Sequence, residues 1–347
     1  MAEPDTFLYL SSAHTRMACQ DFDPVAAVRD ALVAYAGDQD RPAGDADLRW
    51  SHGSGAAGRC GAVPARLPAS GTGTGIVVRT ASTTDGGEHR AGHGLALLLG
   101  VVPDDVSCVV AGDHLATLST ASATVAVAHR LAPAGVMTVG ILGADPVAEV
   151  IAELLSASQP GLVHIAIHDA DPARAYALGE RMSGPLRRHG VGVTVTASAR
   201  DAALGANLVV TATRVASGQA EYDWLHRGAV LVNASPGDLS REIVRRCDVL
   251  LVDGWPQACA EPRRLLGRMR RTGELIGPGE NRTASDPAAR RVDAELGQVF
   301  GGRHPGRTGR DDVIVVHLVG LDVEDVALAS HVYRIARWRG LGVRLPW

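Results

Sequence analysis

The twelve residues from Val139 to Val150, VGILGADPVAEV, place a glycine and other small residues between an apolar strand and an apolar helix. In a nucleotide-binding strand-turn-helix, the first glycine makes the tight turn and the second lets a diphosphate approach the backbone. A small third residue lets the helix contact the sheet. Gly143 and Ala148 fill the first and third positions, and Asp145 occupies the second. The spacing predicts a dinucleotide turn that carries a carboxylate, with Gly143, Ala144, Asp145 and Ala148 as cofactor-binding residues.

Asp145 is the residue that argues against this prediction. A carboxylate in a partly desolvated turn would face the phosphates, and Coulomb repulsion would cost on the order of a few kcal/mol. The sequence therefore leaves two interpretations open. The turn either binds a nucleotide in spite of Asp145, or it is a relic of one that did.

Polar residues at the ends of later strands favour a nucleotide. The second strand of the alternating region ends in HDAD, which places Asp169 where an acid accepts hydrogen bonds from the adenosine ribose. No arginine immediately follows it, which favours NAD over NADP. Thr211, Thr213 and Asn233, with Ser235, are expected at the carboxyl edge of the sheet and are predicted to contact the cofactor. The alternative for Asp169 is that it only caps the next helix.

The elements that position these residues alternate from Val136 onward. Short apolar runs (VMTVGILG, GLVHIAIHD, VGVTVTAS, ANLVVTATR, GAVLVNAS and CDVLLVD) are separated in part by helical segments, which predicts a doubly wound parallel sheet. Before them, residues 24–36 predict an amphipathic helix, and CGAVPARL and GTGIVVRTA predict strands. The strand in DDVIVVHLVG and the last helix are expected to return to the N-terminal domain. We therefore predict an α/β protein with a Rossmann-like domain at 131–311 and a discontinuous α+β domain at 1–130 and 312–347.

Composition limits the classes of partner. The 347 residues have a net charge of -4 and an apolar fraction of 46%, which favours a globular protein that binds small molecules rather than nucleic acid or membranes. The five cysteines lack metal-ligand spacing, so no metal is expected. No leader or membrane span is evident, and a cytoplasmic location is expected. Every one of the 34 basic residues is arginine, so no lysine can act as proton donor or form a Schiff base.

Several segments in order along the chain resemble the ornithine cyclodeaminase and μ-crystallin family. They are LYLSS, LRW followed by AVPA, HLATLSTASATVAVAHRLA, the ATR strand end, LVNASPGD and PGRTGRDDVIVVHLVGLDVEDVALASHVY. GEHRAG and GILGADPVAEVIAELL look closest to the N-(2-amino-2-carboxyethyl)-L-glutamate dehydrogenase branch, which serves siderophore and antibiotic precursors through 2,3-diaminopropionate.

The resemblance implies a homodimer whose first domain binds substrate and dimerises, while the second binds NAD(H) or NADP(H). Hydride would move to or from the α-carbon of an amino or imino acid. Arg49 matches the arginine that grips the substrate carboxylate, and Asp238 matches the acid near the reacting amine. Both residues can serve these roles in this chain.

The chain departs from the family pattern in the substrate domain as well as in the turn. The family's substrate-binding lysine falls at Val77, and its second carboxylate-binding arginine falls at Ser119. Arg79 lies two residues after Val77, on the same face of a strand, and can restore positive charge but not proton donation. Each retained residue also has a plain structural alternative: a solvated arginine, a helix cap, or a surface ion pair.

Two main hypotheses follow, and a third ranks last. The first is an NAD-dependent oxidoreductase of specialised metabolism, with Arg49, Arg79 and Asp238 in the catalytic site. The second is a catalytically degenerate member, either a small-ligand binder or an accessory subunit of an active paralogue. The third is a redox-neutral amino-acid cyclodeaminase with tightly held NAD.

Overall fold

A computed structural model of the chain describes most of the sequence. The described residues are 6–38, 46–51, 57–66, 74–83, 89–99, 106–135, 137–213, 220–235, 239–260, 264–281 and 288–346. They divide into two compact units, one formed by Met1–Ser119 with Gly320–Trp347 and the other by Thr120–Val319.

The elements are numbered in chain order. The strands are β1 (Thr6–Leu10), β2 (Ala46–Ser51), β3 (Ala57–Arg66), β4 (Thr74–Thr83), β5 (His89–Leu99), β6 (Val106–Ala111), β7 (Met137–Leu142), β8 (Leu162–His168), β9 (Gly192–Val195), β10 (Leu208–Thr211), β11 (Val230–Asn233), β12 (Val249–Val252), β13 (Leu275–Ile276), β14 (Arg290–Arg291), β15 (Ala294–Glu295), β16 (Ile314–His317) and β17 (Val343–Pro346). The helices are α1 (Ser12–Ala18), α2 (Pro24–Gly37), α3 (Gly112–Leu131), α4 (Pro146–Ser158), α5 (Pro172–Arg188), α6 (Ala199–Ala203), α7 (Arg241–Arg246), α8 (Trp255–Ala260), α9 (Leu265–Arg271), α10 (Leu296–Phe300) and α11 (Asp322–Arg339).

The first unit is built on a mixed sheet. Its seven described strands run in the order β17-β1-β6-β5-β4-β3-β2. The β1 and β6 pair is parallel, and the other neighbours are antiparallel. Helices α2 and α11 pack against each other in this unit. The predicted strands in CGAVPARL and GTGIVVRTA correspond to β3 and β4.

Helix α2 forms where the sequence predicts an amphipathic helix. Asp23 caps it, since its side chain accepts hydrogen bonds from the first N–H groups, and Pro24 occupies the first turn, where its missing N–H is not needed. The predicted apolar face is buried, including Val28 and Leu32 at 0% exposure.

The second unit contains a fully parallel sheet. Its eight described strands run in the order β15-β12-β16-β11-β10-β7-β8-β9, and every adjacent pair is parallel. The central strands are buried along their whole length, as expected for a sheet covered on both faces. The predicted α/β fold with a doubly wound sheet is confirmed.

The direction of chain progression reverses between β7 and β10. From β7 the chain moves outward through β8 to β9, then returns to place β10 on the other side of β7. Ligands of open parallel sheets bind outside the carboxyl ends of the strands at such a switch point. The turn that follows β7 is therefore at the position where this fold binds nucleotides.

One expectation about the end of the chain is wrong. The strand in DDVIVVHLVG does not return to the first unit, because β16 inserts between β11 and β12 in the parallel sheet. Its four residues are buried, which makes it a central strand of the second unit. Among the described residues, no helix is both long enough and apolar enough to cross a membrane.

Candidate functional site

The turn between β7 and α4 requires glycine at its first position. Gly143 has a φ of +117°, a conformation that side chains rarely adopt, and a Cβ there would lie 2.2 Å from the Ala212 carbonyl oxygen. The Gly143 N–H donates to the His168 carbonyl at 2.6 Å, which ties the turn to the end of β8. Ala148 is completely buried, so the third position of the pattern is small because it packs inside the unit.

Asp169 holds this turn from the end of β8. Its Oδ2 accepts a hydrogen bond from the Ala144 N–H at 2.7 Å, and its Oδ1 accepts one from the Asp171 N–H at 2.9 Å. The side chain is buried. The residue that caps α5 is Asp171, whose carboxylate accepts the Ala173 N–H. The structural alternative for Asp169 as the cap of that helix is therefore wrong, and Asp169 lies beside the turn instead.

Asp145 is paired with a cation that the sequence did not indicate. It is the N-cap residue of α4, has an unstrained extended backbone, and makes no side-chain capping bond to that helix. Its carboxylate accepts a hydrogen bond from Arg174 Nη2 in the first turn of α5. Arg174 Nη1 also lies 3.9 Å from Asp169 Oδ2. The repulsion expected from the sequence counted only the charge of Asp145, and the structure adds a guanidinium that lies against this carboxylate.

The pKa of Arg174 reflects the surrounding acids. Burial alone lowers the pKa of its guanidinium, but the hydrogen bond to Asp145 and the charges of Asp169, Asp145 and Asp171 raise it above its ordinary value. The side chain remains 42% exposed, so solvent screens these interactions. No arginine immediately follows Asp169 in the sequence, but Arg174 in the first turn of α5 lies close to it.

Polar side chains form a buried chain across the carboxyl ends of three adjacent strands. Thr211 Oγ1 donates to Asn233 Oδ1 at 2.5 Å, and Asn233 Nδ2 lies 2.8 Å from His317 Nδ1. An amide nitrogen can only donate, so His317 Nδ1 accepts and the imidazole is neutral. Burial, with the charge of Arg264, lowers the pKa of His317 to about 3. His317 was not among the predicted site residues, although its position after an apolar strand could have indicated it.

The neighbouring strand ends also carry polar side chains, and these accept hydrogen bonds from backbone N–H groups. Ser235 Oγ accepts a hydrogen bond from the Thr213 N–H at 2.9 Å. Asp253 follows β12, and its two oxygens accept the N–H groups of Gly254 and Val319 at 2.9 and 2.8 Å. The predicted polar edge of the sheet thus exists, and part of its polarity serves to hold the loops that follow the strands.

The substrate-site predictions fall partly outside the described residues. Asp238 lies outside them. Arg49 lies in β2, paired with Arg59 of β3, and Arg79 lies in β4, paired with Gly61 and Gly94, next to an irregularity in the pairing with β5. Only the backbone positions of these residues are described. Their roles stay predictions.

Two positions where the resemblance expects cations are buried and uncharged. Val77 in β4 is 3% exposed, and Ser119 in α3 is 3% exposed. Ser119 Oγ donates to Asp325 Oδ1 in α11 at 2.6 Å. The first turn of α11 therefore contributes two buried acids to the first unit, Asp325 and Glu324.

Three histidines of the first unit, His89, His93 and His114, differ in what the structure describes. His89 and His93 lie in β5, and only their backbones are described. Burial and the charge of Arg16 lower the pKa of His114, which favours its neutral form near pH 7. Within the described part of the chain, no group of three or more His, Cys, Asp or Glu side chains is arranged to hold a metal ion.

A parallel sheet with a glycine turn at its switch point and an acid after the next strand defines a Rossmann-like α/β protein. The sequence matches the model of the ornithine cyclodeaminase/mu-crystallin family over residues 49–339. The chain belongs to this family.

Curated relatives and solved structures agree with this membership. The chain is 24% identical over 237 residues to the N-((2S)-2-amino-2-carboxyethyl)-L-glutamate dehydrogenase of Staphylococcus aureus, a match covering 68% of this chain and 66% of that protein. It is 25% identical over 263 residues to a Delta(1)-pyrroline-2-carboxylate reductase of Bacillus cereus, covering 74% of each. The match to the first of these relatives spans slightly less than two thirds of its length.

Similar folds cover nearly the whole chain. The crystal structure of CmnK has a TM-score of 0.80 at 25% identity and covers 98% of both chains. The Delta(1)-pyrroline-2-carboxylate reductase of Thermococcus litoralis, in complex with NADH and L-proline, has a TM-score of 0.75 at 19% identity and covers 97% of this chain and 99% of that one. An archaeal alanine dehydrogenase dimer with bound NAD has a TM-score of 0.75 at 18% identity, covering 99% of each chain.

Proposed function

We propose that the chain is an NAD-dependent oxidoreductase that acts on a nonstandard amino acid or the corresponding imine in specialised metabolism. The observation that carries the cofactor assignment is the contact between the Asp169 carboxylate and the turn that begins at Gly143. Asp169 is a buried acid beside a glycine turn, and in dinucleotide-binding folds an acid in this position accepts hydrogen bonds from the adenosine ribose, which supports the proposal. The solved structures of two proteins with the same fold contain NAD or NADH.

The residues proposed for the cofactor lie in the second unit. Gly143, Ala144, Asp145 and Ala148 would form the pyrophosphate turn, and Asp169 would accept hydrogen bonds from the ribose. Thr211, Thr213 and Asn233 would line the edge of the sheet near the nicotinamide end. A bound nicotinamide would accept or supply the hydride. NAD is proposed rather than NADP because Asp169 adds negative charge where a 2′-phosphate would lie.

Three residues are proposed for the substrate. Arg49 of β2 would bind the carboxylate of the substrate, and Arg79 of β4 would supply a second positive charge. In the oxidative direction, Asp238 would accept a proton from the substrate amine, and a bound nicotinamide would supply the acceptor for the hydride from the α-carbon. The product is an imine, so electrons and protons balance. We also propose a homodimer as the working form.

The buried, neutral positions 77 and 119 support a changed substrate. A lysine and an arginine expected from the family pattern are replaced by Val77 and Ser119, and Ser119 is engaged with Asp325. A substrate with two carboxylate contacts would lose one of them here. We therefore expect a substrate that has a group other than a carboxylate at its second contact position, or has no polar group there.

The same observation supports a second candidate, a member that binds a small ligand without catalysis or that assists an active paralogue. A cyclodeaminase would require the same nucleotide turn, so cofactor binding alone does not separate it from a dehydrogenase. Release of ammonia without net change in NADH absorbance would identify cyclodeamination.

Cofactor binding and hydride transfer are tested in two steps. NADH and NADPH are titrated against the purified protein, with the unfolding temperature and nucleotide fluorescence as readouts. We expect NADH to raise the unfolding temperature more than NADPH does. A panel of amino acids with NAD, followed at 340 nm, then tests for hydride transfer. Absence of any effect of either nucleotide at millimolar concentration contradicts the oxidoreductase proposal, and nucleotide binding without turnover of any substrate supports the non-catalytic candidate.

A further inference from the structure

The pairing of Asp145 with Arg174 bears on how this turn can accept a nucleotide, and the inference below rests on the proposed function. The turn replaces a glycine with an acid, and the partner of that acid comes from a different helix. Arg174 lies in the first turn of α5, where its guanidinium reaches both Asp145 at the start of α4 and Asp169 after β8. We infer that Arg174 is a cofactor-positioning residue, whose guanidinium neutralises Asp145 and thereby lets the turn accept a pyrophosphate.

The geometry directs the Asp145 carboxylate toward α5. Its backbone is extended, with φ of -73° and ψ of 161°, so the acid causes no strain in the turn. The side chain does not cap α4 but contacts Arg174. The obstacle at this position is therefore electrostatic rather than conformational, and charge compensation can remove it.

The charge count shows why compensation is needed. Asp145 and Asp169 together carry two negative charges beside the turn, and Arg174 reduces the net charge of the three side chains to -1. A pyrophosphate brings two further negative charges. Both acids are buried, so water screens them less than it would on an open surface. Removal of Arg174 would take this positive charge away from both carboxylates and make the turn more negative.

Arginine suits this role better than a compact cation would. The planar guanidinium presents several N–H donors in fixed directions, which lets one side chain face two carboxylates at once. The exposure of 42% shows that Arg174 stays near the surface, where it can shift slightly as a phosphate approaches.

The test is a double-mutant cycle read by NADH affinity, measured by fluorescence titration of the full chain. We expect Arg174→Ala to raise the Kd for NADH by about tenfold or more, because the positive charge that lies against Asp145 is then removed. Asp145→Gly should leave the Kd unchanged or lower it. In the Asp145→Gly background, Arg174→Ala should change the Kd by less than about threefold, because the charge it offsets is gone.

A matched control removes a second salt bridge between the same two helices. Arg181 of α5 donates to Glu149 of α4 at 2.9 and 3.0 Å, away from the turn. Arg181→Ala should leave the Kd for NADH unchanged. Circular dichroism and unfolding temperature, measured for every variant, check that each one folds. If Arg181→Ala weakens NADH binding as much as Arg174→Ala does, Arg174 acts only by holding the helices together, and the inference is overturned.

Three other results also decide the matter. Equal effects of Arg174→Ala with and without Asp145 would show that the guanidinium acts without reference to this acid, which overturns the inference while leaving the proposed function intact. A loss of NADPH affinity with no change for NADH would assign Arg174 to a 2′-phosphate and overturn it as well. A wild-type chain that binds neither nucleotide overturns both the inference and the proposed function.

Discussion

The buried histidine at the end of β16 predicts a specific dependence of stability on pH. His317 accepts a hydrogen bond from Asn233 through Nδ1, and its Nε2 has no hydrogen-bond partner among the described residues. Protonation would place a donor against the Asn233 amide and a charge in a site lined by Leu250 and Leu266. Burial holds its pKa at about 3, against about 6.5 in the unfolded chain.

The sign and size of the effect follow from these two pKa values. Because the folded pKa is the lower one, the stabilising contribution is complete above pH 6.5 and is lost as the pH falls from 6.5 toward 3. Between pH 7 and pH 5 the unfolded histidine takes up a proton while the folded one does not. This difference costs about 2 kcal/mol of unfolding free energy. This free-energy difference changes little as long as the pKa of His317 in the folded protein stays well below 5.

The assay compares wild type with His317→Gln, whose side-chain oxygen can still accept from Asn233. Urea unfolding at pH 7 and pH 5 should show that the variant loses about 2 kcal/mol less than wild type over this interval. Imidazole chemical shifts of folded wild type should not change for His317 between the two pH values. Equal pH losses in both proteins, or a titrating His317 signal near pH 6, would refute the reasoning.

Three further changes have expected outcomes. Gly143→Ala should lower the unfolding temperature and abolish its increase with NADH. The φ of +117° disfavours a side chain, and the new Cβ would lie 2.2 Å from a carbonyl oxygen. Unchanged NADH binding would contradict this prediction. Ser119→Ala should cost about 1–3 kcal/mol in urea unfolding by removing a donor from the buried Asp325. Thr117→Ala in the same helix, which removes only a solvent-exposed hydrogen bond to the Asp113 carbonyl, should cost less than about 0.5 kcal/mol. Asp169→Asn should weaken NADH binding by about tenfold, because an amide oxygen and nitrogen cannot accept both backbone N–H groups; equal affinity in a titration would count against the assigned turn.

Six strands of the parallel sheet, β7 to β12, could be predicted from the sequence because each lies in a short apolar run, whereas the two-residue β15 has no such pattern. The apolar face of α2 and the turn at Gly143 were predicted for the same kind of reason, since local spacing determines both. The place of β16 could not be predicted in this way. Its pattern identifies a buried strand, but insertion between β11 and β12 depends on pairing with strands far away in the sequence.

Pairs of side chains that are distant in the sequence could not be predicted from it either. Arg174 is 29 residues from Asp145, and the two meet because α4 and α5 begin at the same edge of the sheet. Ser119 and Asp325 are 206 residues apart. In each case, one member of the pair was singled out from the sequence, but its partner lies on an element whose neighbours only the fold determines.

The two kinds of departure from the family pattern differ in their chemistry, and this difference bears on the choice between the proposed functions. In the nucleotide turn, the added negative charge of Asp145 is matched by the positive charge of Arg174, so the net change is small. At Val77 and Ser119, cations are replaced by neutral side chains, and Ser119 is bonded to Asp325. A pyrophosphate can approach this turn only where the charge of Asp145 is offset, and Arg174 offsets it. The offset charge at the turn favours a chain that still binds a nucleotide. The neutral residues at positions 77 and 119 favour a substrate that differs from the one the family pattern implies.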